Sequence, residues 1–205
     1  MLQEPTTTIT DFLLSLEALI LAALLLISPQ TFPSLPYWIV SLVGLGVAAL
    51  LGGLYHGFER TFLGVGIFFF ISVLMAAFCL AAITDGFGEE MARGFRWPVA
   101  VLALAFFLVT RIYPTRIMAF TALLAAILVF ALALYLRLMF TGALPGAGFV
   151  AAGIAMLLTG AAMLLGNVSF TFIWTFDRNA IYHLMQMAGF LFFYLGLSQR
   201  GPLTP

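Results

Sequence analysis

Seven long apolar runs dominate the sequence, at about 11–28, 36–58, 61–84, 97–111, 116–140, 146–166 and 179–198. A helix needs about 20 mostly apolar residues to cross the hydrocarbon core of a bilayer. Each run has or approaches that length, 97–111 being the shortest. Backbone groups inside lipid find no water, so only helices and closed barrels can span it. Barrel strands alternate apolar and polar residues; these runs are continuous, which argues against strands. With 64% apolar and 8% charged residues in 205, against about a quarter charged in soluble domains, a soluble core could not hide the apolar surface. The chain is therefore expected to be all-α: a polytopic integral membrane protein with one transmembrane domain, residues 1–205, built as a seven-helix bundle. Membrane lipid is its expected partner. The zero net charge gives no pointer to nucleic acid.

The connections are short. Residues 1–10 contain no Lys or Arg, unlike the basic start of a secretory signal, so the first run is expected to be retained as a helix. Segment 28–36 is a proline-punctuated turn. Segment 85–96, with its glycines and mixed charges, reads as the longest loop. Asp11 and Asp177 each precede an apolar run and read as helix N-caps. Cys79 is the only cysteine, which excludes an internal disulfide and any cysteine-based zinc or iron–sulfur site. Seven spans place the termini on opposite faces. The face of the N-terminus, side A, carries Arg60, Arg111, Arg116 and Arg178, which read as interfacial anchors. Side B carries Arg93, Arg96, Arg137 and Arg200. The positive-inside rule compares such counts, and here they are equal.

Ionisable residues within spans are costly and commonly mark a site. Glu17 lies near the start of span 1, His56 at the end of span 2, and Asn179, His183 and Gln186 form a stripe opening span 7. All fall on side A. Glu17 would sit roughly 9 Å below Asp11 and His183 roughly 9 Å below Asp177, with His56 a little shallower. Ala48, Gly52 and His56 share one helical face, whose small residues allow a close neighbour. Side B and the membrane centre show nothing comparable. Two histidines and a carboxylate at one depth suit zinc, since catalytic zinc sites commonly have three protein ligands and a water. His56, His183 and Glu17 would be the ligands. Glu17 is alternatively the base that takes the water's proton, and Asn179 would polarise a carbonyl in hydrolysis of a lipid amide or ester. Two other classes stay open. His56 and His183 could be axial ligands of a b-type haem, with Arg60 and Arg178 near its propionates. The cluster could also lock helices together in a protein that binds or transports without a cofactor.

A histidine closing span 2 and another opening span 7 of a seven-span chain resemble the CREST superfamily, which includes alkaline ceramidases, progestin and adipoQ receptors and hemolysin III-like proteins. The resemblance implies a seven-helix bundle around a zinc ion used in lipid amide hydrolysis. His56 and His183 match directly. Gly52 stands where the family has the serine of Ser-x3-His. Asn179 stands where it has the first histidine of His-x3-His. No aspartate occurs in span 3 within 61–84.

Cysteines introduced at positions 3 and 203 are expected to react with impermeant thiol reagents from opposite sides of sealed vesicles. Labelling of both from one side would contradict an odd number of spans.

Overall fold

The computed structural model describes residues 4–58, 62–112, 117–166 and 168–201, with 117–120 described by backbone alone. Arg60 and Arg116 lie outside the described residues. Seven helices run as α1 (Pro5–Ile27), α2 (Leu35–Phe58), α3 (Leu63–Phe87), α4 (Glu89–Ile112), α5 (Ile117–Phe140), α6 (Ala147–Leu164) and α7 (Arg178–Leu197). All seven are long and apolar enough to cross a membrane. The chain is an all-α, multi-pass membrane protein.

Two boundaries differ from expectation. α1 begins at Pro5 rather than Asp11. Proline is well placed in a first turn, where its missing N–H costs nothing. The threonines that follow lie outside the expected first span, yet Thr7, Thr8 and Thr10 are buried. The Thr10 hydroxyl donates to the carbonyls of Thr6 and Thr7, both at 3.0 Å, whereas that of Thr8 has no partner among the described residues. Asp11 is thus nearly two turns inside the helix and is not its cap. The expected loop 85–96 is also helical, broken only at Gly88, whose φ of 88° suits a residue without Cβ. Glu89 and Glu90 open α4, where carboxylates complement the positive end of the helix dipole. The fourth span is consequently 24 residues long.

Another departure lies between α6 and α7. Strands were not expected, but β1 (Phe170–Thr171) and β2 (Thr175–Phe176) form a small antiparallel hairpin. The rings of Phe170 and Phe176 stack at 4.9 Å. Asp177 does cap α7 as expected, accepting the Ala180 N–H at 2.8 Å.

The packing order is a closed ring. α1 packs on α2 and α7, α2 on α3, α3 on α5, α5 on α6, and α6 on α7. α4 packs chiefly on α3, outside the ring, and is the least buried span. The α6–α7 seam is especially close. A Cβ on Gly153 would come within 2.6 Å of the Gly189 carbonyl, and one on Gly146 would collide with the backbone of Gly196. Such small residues let helices meet backbone to backbone, replacing a hydrophobic drive that is absent in lipid.

Side B holds a buried polar knot that the sequence did not reveal. Arg200 donates to Asp85 Oδ1 at 2.8 Å and to Ser34 Oγ at 2.9 Å. The Tyr135 hydroxyl donates to Asp85 Oδ2 at 2.5 Å. The two charged side chains are only 4% and 5% exposed. Arg200 had been counted as an ordinary side-B arginine because it follows the last span. The guanidinium instead folds back over the Phe32 ring, 4.9 Å from its centroid. Removing one partner of such a pair leaves a buried uncompensated charge, a cost of about 3–5 kcal/mol. Asp85→Ala is therefore expected to lower the thermal midpoint of the detergent-solubilised protein sharply. Asp85→Ala combined with Arg200→Met, which removes both charges, should recover most of the loss.

Candidate functional site

The ring encloses a cavity of about 230 Å³. Its polar residues are Asp11, His56, Tyr182, His183 and Gln186; the remaining lining is apolar, from Leu14 and Leu45 down to Phe78 and Phe193. The lining runs from His56 to Leu45 on α2 and from Tyr182 to Phe193 on α7, a depth of roughly 16 Å at 1.5 Å per residue. Phe78 and Phe193 form the floor, resting edge-on against Trp38 at 5.6 and 5.3 Å. The Trp38 indole in turn donates to Asp85 at 3.4 Å. The cavity is thus amphipathic from side A inwards, and its floor stands on the side-B knot.

His183 is held at both ring nitrogens. Nδ1 lies 3.0 Å from Thr10 Oγ1, and Nε2 lies 3.4 Å from Asp11 Oδ1. With the Thr10 proton directed at its own helix's carbonyls, the His183 tautomer that carries its proton on Nδ1 would donate to the Thr10 oxygen. A neutral ring carrying its proton there has only a lone pair at Nε2. Two acceptors would then face each other unless a further proton sits between His183 and Asp11. Asp11 and His183 thus form a close ionisable pair, in which a proton between them would relieve two facing acceptors. Gly52 makes room for it: a Cβ there would stand 3.0 Å from Asp11 Oδ1. Asp177 joins α7 to α1 above the dyad by accepting the Thr7 hydroxyl at 3.0 Å. Nearer the surface, His56 Nδ1 pairs with Glu4 Oε2 at 2.6 Å.

The sequence-derived residues divide. His56, His183 and Gln186 line the one cavity. Glu17 does not. Six residues along a helix amount to about 600° of rotation, so Glu17 lies roughly 120° round α1 from Asp11. It is half-buried, and its Oε2 has no hydrogen-bond partner among the described residues. Asn179 lies one turn above His183, half-buried in the opening turn of α7, and is not part of the lining. The site residue that sequence reasoning missed is Asp11. The available signal was Pro5 six positions earlier: a proline in a first helical turn sets Asp11 too deep to be a cap.

These residues do not fit a three-ligand zinc site. Among the described residues, no three His, Cys, Asp or Glu side chains gather as a metal would need. Both nitrogens of His183 and Nδ1 of His56 already face protein groups. A haem fits no better. The cavity falls below the roughly 300–1,000 Å³ of ordinary small-molecule pockets, and Arg178 is exposed.

Residues 6–202 match the model of a family of unknown function, DUF6962. No curated protein and no solved structure matches the chain.

If protein groups rather than a metal hold the site together, a chelator should leave the thermal midpoint unchanged. His183→Ala, which strands the buried Asp11 carboxyl, should lower stability by about 1–3 kcal/mol. A chelator effect that His183→Ala abolishes would restore a metal-based reading.

Proposed function

The chain belongs to the DUF6962 family of unknown function, and we propose that it binds a membrane lipid bearing an uncharged polar head. The lipid's apolar chain lies in the cavity, and its head meets Asp11, His56 and His183. The observation that carries this reading is the cavity's polarity: polar lining residues cluster at the side-A end above an apolar shaft roughly 16 Å deep. At about 230 Å³ the shaft has room for part of one acyl or isoprenoid chain. Among the described residues, no Arg or Lys lines it. A phosphate buried there would lack the cationic donors that usually meet one, so a hydroxyl, amide or carbonyl head is favoured.

The Asp11–His183 pair supports a second reading. Asp11 and His183 are placed to give or take a proton at the head of the ligand, as hydrolysis of an ester or amide would require. The relation to the CREST superfamily is retained as a proposal for the arrangement of spans 2 and 7, supported by His56 and His183 lining one cavity. Its zinc chemistry is not carried over.

The test is to fill the shaft. Ala49 lines it, and Ala49→Phe would place a ring at the shaft wall. Lipid retained through purification, measured by mass spectrometry, and binding of a fluorescent monoacyl lipid in nanodiscs should both fall about tenfold, equivalent to about 1.4 kcal/mol. Asp11→Leu should weaken binding of the headed lipid while sparing a plain hydrocarbon probe. Unchanged lipid content in Ala49→Phe would overturn the reading. Release of a free acyl chain during incubation, lost in His183→Ala, would favour the hydrolytic version.

A further inference from the structure

We infer that the lipid reaches the cavity sideways from the bilayer, through the seam between α3 and α5, with Met75 and Ile127 as the door. The inference rests on the lipid-binding reading of the cavity.

The ring is not equally tight all round. α6 and α7 meet at glycine backbones. α1 is tied to α2 by the Ser15 hydroxyl donating to the Gly46 carbonyl at 2.7 Å, and to α7 through Thr7 and Thr10. α2 approaches α3 so closely that a Cβ on Gly44 would stand 3.3 Å from the Phe70 carbonyl. The α3–α5 seam is the most sparsely packed in the ring, and α4, which lies against α3, barely touches α5.

A second, smaller void of about 20 Å³ lies outside that seam. α3, α4 and α5 contribute to it, among others through Cys79, Phe106 and Leu123. Met75 and Ile127 line both this void and the main cavity. These two side chains therefore stand between the inner shaft and a void under α4, from which the weakly packed α4–α5 side leads to lipid. Methionine is the unbranched, easily re-packed side chain suited to yield there. On side B the seam is pinned by Tyr135 to Asp85. Opening thus hinges at side B and widens towards side A, where the polar end of the cavity lies. A lipid whose head stays at the side-A interface can then swing its chain inwards without taking the head through hydrocarbon, which would be costly.

Met75→Cys and Ile127→Cys, in a Cys79→Ala background, allow the door to be closed by a short thiol-specific bifunctional linker. The reduced protein in nanodiscs is loaded with the fluorescent monoacyl lipid, and its exchange with unlabelled lipid is followed. Cross-linking is expected to slow both loading and release at least tenfold, and reduction of the linker to restore them. Met75→Ala, in the otherwise unaltered chain, is expected to speed exchange several-fold. Exchange that ignores both the linker and Met75→Ala overturns the lateral route while leaving the cavity reading standing. A reduced, folded protein that loads no lipid overturns the cavity reading, and the door with it.

Discussion

A charge held at lipid depth must meet its opposite, and Asp85 and Arg200 do so across 115 residues of chain. Around that pair the side-B end of the bundle is assembled. Ser34 at the entrance to α2, Trp38 one turn further on, Tyr135 on α5 and Asp85 on α3 all direct a polar atom at it or take one from it. The pair is a costly way to gain stability, because desolvation consumes much of the attraction. Its effect is positional. It fixes the ends of three spans and the chain beyond the last one. It also sets the height of Trp38, on which the cavity floor of Phe78 and Phe193 rests.

From that fixed end the ring is graded in tightness. In lipid, helix association draws on close packing and hydrogen bonds, with no hydrophobic drive between spans. Glycine contacts and hydroxyl hydrogen bonds are accordingly prominent in the α1–α2, α2–α3, α6–α7 and α7–α1 seams. The α3–α5 seam is filled chiefly by flexible and branched apolar side chains, including Met75, Leu124 and Ile127. α4 closes it from outside without entering the ring. A bundle rigid on most of its perimeter and compliant along one line can admit an apolar chain without losing its architecture.

The seven spans were legible because continuous apolar runs of that length have one physical outcome in water and lipid together. The placement of His56 and His183 at one end was legible from helix rise and the alternation of spans. Three things were not. The threonines before Asp11 lay outside the expected first span, because the partners of Thr6, Thr7 and Thr10, the hairpin, Asp177 and helix carbonyls, are invisible in the linear order. The charges of 85–96 looked like a loop, although Glu89 and Glu90 support a helix start and Asp85 has a partner beyond α7. Glu17 was placed by depth alone. Its rotation round α1 takes it away from the cavity, while the same rotation brings Asp11 towards it.

The proton count at Asp11 and His183 decides what the polar end of the cavity can accept. If His183 Nδ1–H is committed to Thr10, one further proton between Nε2 and Asp11 satisfies both facing acceptors. Whichever atom carries it, the dyad is neutral as a unit: an imidazolium beside a carboxylate, or an imidazole beside a carboxylic acid. A neutral dyad with adjustable donors can meet a hydroxyl, amide or carbonyl by moving the proton a short way. It would compensate a phosphate poorly: no Arg or Lys is among the described lining residues, and an unpaired buried charge pays a desolvation cost. The same neutrality lets the dyad remain intact when the cavity is filled by the apolar chain alone. On the proposed lipid-binding reading, selection for an uncharged head would follow from the pairing that keeps Asp11 tolerable inside the membrane.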